Sequence, residues 1–151
     1  MYYIGITRNL NGNNYSITTV ILIHELLHIL GVYSINSIYN IPDPDDPFKR
    51  RLWTGPEGVA GYRKVLANNG FESISHLIEF IPLEDDGNRG TIHVHSEENE
   101  IYYKNDVPYP ALQNEIMTGN LDQSNYITPL TTGVLSDLGF IINNNSNYII
   151  F

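Results

Sequence analysis

The chain has no cysteine among its 151 residues. Disulfides and thiolate chemistry are excluded, so any metal must be held by His, Asp or Glu. Basic residues are scarce: eight Lys and Arg stand against seventeen Asp and Glu, for a net charge of −9. That balance argues against nucleic acid or an anionic membrane surface as the main partner. No apolar run approaches the ~20 residues of a membrane span. Residues Met1–Asn14 lack the basic-then-apolar order of a signal peptide. We therefore expect a chain that stays inside the cell that makes it, or a fragment of something longer. There is no internal repeat. The length fits one domain, residues 1–151, that can bury a sizeable core.

What is present centres on His24, Glu25 and His28, in the order His-Glu-x-x-His. Two histidines four apart on a helix lie one above the other on the same face. Their imidazoles can reach one tetrahedral Zn²⁺ at about 2.0–2.1 Å. Glu25, beside the first, can take a proton from a zinc-bound water. The neighbours Val20 to Ile23, Leu26, Leu27, Ile29 and Leu30 are apolar. A helix apolar all round is expected to be buried, and its polar groups then need partners. A metal is such a partner. Two ordinary helix histidines and a solvated glutamate would leave that cost unmet. Gly31 suits a left-handed residue that ends the helix. His-Glu-x-x-His-x-x-Gly opens the metzincin signature. In the short form a third His follows three positions after the Gly, and here that position is Ser34. The third ligand must lie elsewhere.

Taken in order, Tyr2–Ile6 reads as a strand and Asn9–Asn14 as a turn-rich loop. Thr18 or Thr19 caps a helix over about 19–30. Ile41–Pro47 is too proline-rich for a helix or central strand, and its acidic residues lack the spacing of a calcium loop. It reads as solvated. Phe48–Trp53 leads back to the core. Thr54–Gly70 reads as a helix, with Pro56 and Glu57 in its first turn and Asn69-Gly70 at its stop. Val59, Tyr62 and Leu66 are its core stripe. Phe71–Phe80 is ambiguous between helix and strand, and its His76 reads as structural or exposed. Alternation in Thr91–His95 suggests an extended segment that points His93 and His95 to one side. Spacing does not choose between them as third ligand. Asn114–Gly119 is a compact turn around Met117. Thr128–Gly139 reads as a capped helix with Pro129 first inside and Leu130, Val134, Leu135 and Leu138 as its core face. Phe140–Ile142 and Tyr148–Phe151 read as short strands.

These blocks, in this order and over about Thr18–Asn143, resemble the leishmanolysin-like metallopeptidases, a metzincin family. That family opens with His-Glu-x-x-His-x-x-Gly and places a long insertion before its third His. Trp53–Tyr62 looks like a stretch of that insertion in bacterial members. Ile81-Pro-Leu-Glu84 followed by Gly90-Thr91 resembles a further block, in which the third His follows the Gly by five positions and an acidic residue stands two beyond. The resemblance thus selects His95 and Glu97. Asn114–Gly119 resembles the turn whose Met lies beneath the zinc, and Ile127–Phe140 the helix after it. The chain departs from the pattern at Ser96, where Trp is usual, and in a longer stretch from His95 to Met117. Only about eighteen residues precede the helix, where metzincins place a twisted sheet.

The resemblance implies an α+β, metzincin-like zinc-peptidase domain: mainly the catalytic helix and a C-terminal subdomain, with a shortened, truncated N-terminal sheet. It implies one Zn²⁺ per chain on His24, His28 and His95, Glu25 as general base, and a peptide or protein as substrate. A second chain completing the sheet is a further expected partner. Family members are often secreted or surface-associated. The rivals are a thermolysin-like site with Glu57 or Glu79 as third ligand, a non-catalytic zinc-stabilised binding domain, and an acidic interaction module without metal.

Overall fold

The computed structural model describes residues 7–47, 49–86 and 91–142. The strands expected at Tyr2–Ile6 and Tyr148–Phe151 lie outside these, as does Gly90. The described residues form a mixed α+β protein of three helices, one extra helical turn and three small sheets. None of the helices is long and apolar enough to cross a membrane.

Strands β1 (Thr7–Leu10) and β2 (Asn13–Ser16) form an antiparallel hairpin, with Asn9 opposite Asn14. Asn11 and Gly12 take φ of 49° and 86°, as both central residues of a tight primed turn must. The stretch expected to be loop is therefore a hairpin. Its strands were hidden because every residue of β2 is exposed and polar or aromatic, with no apolar alternation to read. The chain runs straight from β2 into α1 (Ile17–Ile29). Ser16, rather than Thr18 or Thr19, is the cap: its hydroxyl accepts from the Thr19 amide at 3.1 Å. Gly31, at φ 102°, follows the last turn.

Helix α1 is not buried all round. Val20, His24 and Leu27 are buried, but Leu22 and Ile29 are 57% and 78% exposed, and Ile21 and Leu26 are exposed beside them. The hairpin and the C-terminal half cover only its inner side, so one apolar face is left to solvent.

A second sheet has the order β3 (Asn40–Pro42), β4 (Arg51–Trp53), β5 (Ile81–Pro82). Pro42 sits on the edge strand, where proline is tolerated. The acidic loop after it is not simply solvated. Asp43 is buried and accepts from the Tyr102 hydroxyl and, at 2.5 Å, from Lys104. The buried Arg50 pairs with Asp85, Glu97 and Glu100. Tyr102 and Lys104 belong to the hairpin of β6 (Tyr102–Lys104) and β7 (Val107–Tyr109).

Helix α2 (Pro56–Leu66) opens on Pro56 and buries Val59, Tyr62 and Leu66. Its regular course breaks at Asn69 and Gly70, where Gly70 takes φ 90°. A single turn, α3 (Glu72–Ser75), follows and leaves His76 exposed. Helix α4 (Pro129–Asp137) starts at a Thr128 cap and buries Leu130, Val134 and Leu135. It packs on α2, and its last residue caps its neighbour. The Asp137 carboxylate accepts from the amides of Glu57 and Gly58, at 2.8 and 2.9 Å, and from the Trp53 indole at 3.0 Å. The short strand β8 (Ser124–Asn125) joins β1 in parallel. Phe140–Ile142 forms no strand.

Candidate metal centre

His24 and His28 lie one turn apart on α1, and His95 reaches them from the segment after β5. The three Nε2 atoms are mutually 3.0, 3.0 and 3.1 Å apart. A tetrahedral zinc holds nitrogen ligands at about 2.0–2.1 Å and so about 3.3 Å from one another. The observed triangle is within a few tenths of an ångström of that.

The orientation of the rings decides what the triangle can hold. Nδ1 of His24 donates to the Ile116 carbonyl at 2.6 Å, and Nδ1 of His95 to the Thr91 carbonyl at 2.9 Å. A carbonyl only accepts, so the proton sits on Nδ1 and the Nε2 lone pair is free. Lone pairs facing each other at 3 Å repel unless a cation lies among them. Burial pushes His28 down to about 4, with His24 beside it adding to the effect. Burial likewise pushes His95 down to about 4, against the opposing effect of the hydrogen bond it donates to the Thr91 carbonyl. Both rings are neutral at pH 7, which is the form that binds metal.

This gives a sharp pH expectation. Protons compete for the same nitrogens, and the two histidines resist protonation until about pH 4. In the metal-free chain, the imidazole signals of His28 and His95, followed by NMR, should therefore shift only near pH 4. A shift starting at the ordinary histidine value would mean that these two rings are solvated rather than buried.

Only His95 of the two candidates enters the centre. Thr91–Val94 is a turn and not an extended segment, and His93 takes φ 70°. The chain folds back there, so residues two apart do not share a side. His93 is used through its backbone: its amide donates to the Glu84 carbonyl at 2.8 Å, and its carbonyl accepts from Asn40 at 3.2 Å. Glu57 lies in the first turn of α2 beside Asp137, and Glu79 is exposed. Neither joins the histidines. Among the described residues, the triad is the one group of potential metal ligands that contains histidine.

The turn at 114–119 holds both ligand-bearing segments. The Ile116 carbonyl accepts from His24, and the Met117 carbonyl accepts from the amide and hydroxyl of Ser96, next to His95. Met117 is fully buried. Glu115 fixes this turn and was not foreseen from the sequence. Its buried carboxylate accepts from the Met117 amide at 2.6 Å and from the hydroxyls of Thr128 and Thr131 at the start of α4. Burial raises its pKa to about 6, against the pull of these donors. Glu25 is exposed on α1, and its charge acts on His95.

Comparison with protein families, with curated proteins and with solved structures finds no match.

Proposed function

We propose that the chain is a zinc-dependent endopeptidase of the leishmanolysin-like metzincin kind. The observation that carries this reading is the meeting of the Nε2 atoms of His24, His28 and His95 beside an exposed Glu25. One Zn²⁺ per chain would sit on these three imidazoles. Bound there, it would lower the pKa of a coordinated water towards ~7 and polarise a carbonyl. The carbonyls of Ile116 and Thr91 hold two of the rings in the binding tautomer. Glu25 takes the proton of the attacking water and hands it to the leaving amine. Its exposure on α1 leaves it open to a peptide arriving from solvent. Met117, buried in the turn whose Ile116 carbonyl holds His24, would give an apolar floor. The order of the motif blocks along the chain supports the same reading.

The test compares zinc content and peptide cleavage in the parent chain and in Glu25→Gln. The variant should keep one zinc per chain and lose cleavage by about 10²- to 10⁴-fold, the usual worth of a general base. Undiminished cleavage in the variant would remove Glu25 from the mechanism.

One observation favours a second reading, a zinc-stabilised binding domain without catalysis. The outer face of α1, with Ile21, Leu22, Leu26 and Ile29, is exposed. A second chain that completes the sheet would cover it. Zinc retained with no cleavage of any unfolded peptide would favour this reading.

A further inference from the structure

A second group of side chains, away from the histidines, carries an unmet electrostatic demand. Glu84 follows β5 and is 2% exposed, and its Oε2 has no hydrogen-bond partner. The same carboxylate touches that of Asp86. Asn99 Nδ2 donates to Glu84 Oε1 at 3.3 Å and to Asp86 Oδ1 at 3.2 Å. Glu97 and Glu98 press on Glu84 as further like charges. Glu97 is answered by Arg50, and Glu98 by Asn120. Among the described residues, ion pairs to Arg50 and Lys104 take up Asp43, Asp45, Asp46, Asp85, Glu97 and Glu100, and none reaches Glu84 or Asp86. Two carboxyl groups in contact cannot both stay ionised unless a cation lies between them, a shared proton taking its place otherwise, and a buried carboxyl oxygen without a partner is costly.

We propose that Glu84, Asp86 and Asn99 form a Ca²⁺ site separate from the histidine centre. All the donors are hard oxygens, which suit Ca²⁺ and not a nitrogen-seeking metal. The nitrogen and oxygen of an Asn amide are interchangeable by a flip, so Asn99 can present Oδ1 to a cation lying between the two carboxylates. The Glu84 carboxylate, with one oxygen unpartnered, can bind through both. Asp86 and Asn99 are exposed, so water completes the six to eight ligands that calcium takes. The ion would brace the third-ligand segment, because the Glu84 amide donates to the His95 carbonyl at 3.0 Å.

The experiment titrates calcium into the zinc-loaded full chain, followed by calorimetry and by thermal unfolding. One saturable Ca²⁺ per chain is expected, with a Kd of about 10⁻⁴–10⁻³ M, as for sites with few protein ligands. The melting temperature should rise with calcium. Asp86→Asn should weaken binding at least about tenfold and leave the zinc content unchanged. Glu84→Gln should abolish calcium binding. If that variant fails to fold, the exposed Asp86 still decides the matter. The proposal is overturned by absence of saturable binding up to ~10 mM, beyond the usual range of such sites, or by equal binding in Asp86→Asn. Binding lost in Asp85→Asn but kept in Asp86→Asn would place the ion at the Arg50 cluster and also overturn it. Each outcome is independent of the zinc reading, which the zinc content follows separately.

Discussion

Replacing His95 by alanine is expected to cost the chain its zinc. The three Nε2 atoms stand 3.0–3.1 Å apart, and removing one leaves two ligands on a single helix. Loss of a mere outer partner typically costs 10–100-fold in metal affinity. Loss of the ring itself should cost about a thousandfold or more. Dialysed His95→Ala should hold well under one zinc per chain, and its melting temperature should no longer respond to zinc. Binding at about 100 times Kd stabilises a fold by about 2.7 kcal/mol, so the missing response is measurable. His93→Ala is the control. Its side chain is not among the three, and its backbone contacts survive the change. It should retain zinc in full. Retention in His95→Ala together with loss in Glu57→Ala would instead support the thermolysin-like arrangement.

Gly133→Ala should destabilise the fold by forcing its two packed helices apart. A Cβ at Gly133 would stand 2.2 Å from the Glu57 carbonyl oxygen and 2.9 Å from the Gly58 nitrogen. These are backbone atoms and cannot swing aside, so α2 and α4 must separate. Separation also strains the bonds from Asp137 to the Glu57 and Gly58 amides. Overpacking of this kind costs about 3 kcal/mol, a fall of roughly 10 °C in Tm for a chain of this length. Gly61→Ala meets the Pro129 carbonyl at 2.1 Å and should behave alike. Gly70→Ala has nothing within 4 Å and only its φ of 90° to oppose it, a cost of about 1–2 kcal/mol. Thermal unfolding of the three variants checks the ranking.

The parts legible in the sequence were those written in local spacing. The histidine-bearing helix, its two histidines, the Gly31 stop, the Thr128 cap and the stripe of Val59, Tyr62 and Leu66 all depend on neighbours a few residues away. Asn11-Gly12 was a readable turn signal as well, but the polar strands around it gave no period. Thr91–His95 misled because its alternation was real while its backbone turns at a non-glycine residue with positive φ, which no local rule announces. The burial of α1 was overread: an apolar sequence fixes what a helix prefers to touch and not what is there to touch it. Glu115, Asp137, Arg50 and Asp43 were illegible for one shared reason. Each is an ordinary acid or base in sequence, and its role comes from partners brought near only by the fold, up to 80 residues away for Asp137.

The triad joins positions 71 and 67 residues apart in a chain without cysteine. A metal held there would act as the crosslink that this protein otherwise lacks. By the chain-entropy estimate used for disulfides, closing a loop of about 70 residues removes roughly 4 kcal/mol worth of freedom from the unfolded ensemble. Unlike a disulfide, that closure would be indifferent to the redox state of its surroundings and would open to a chelator.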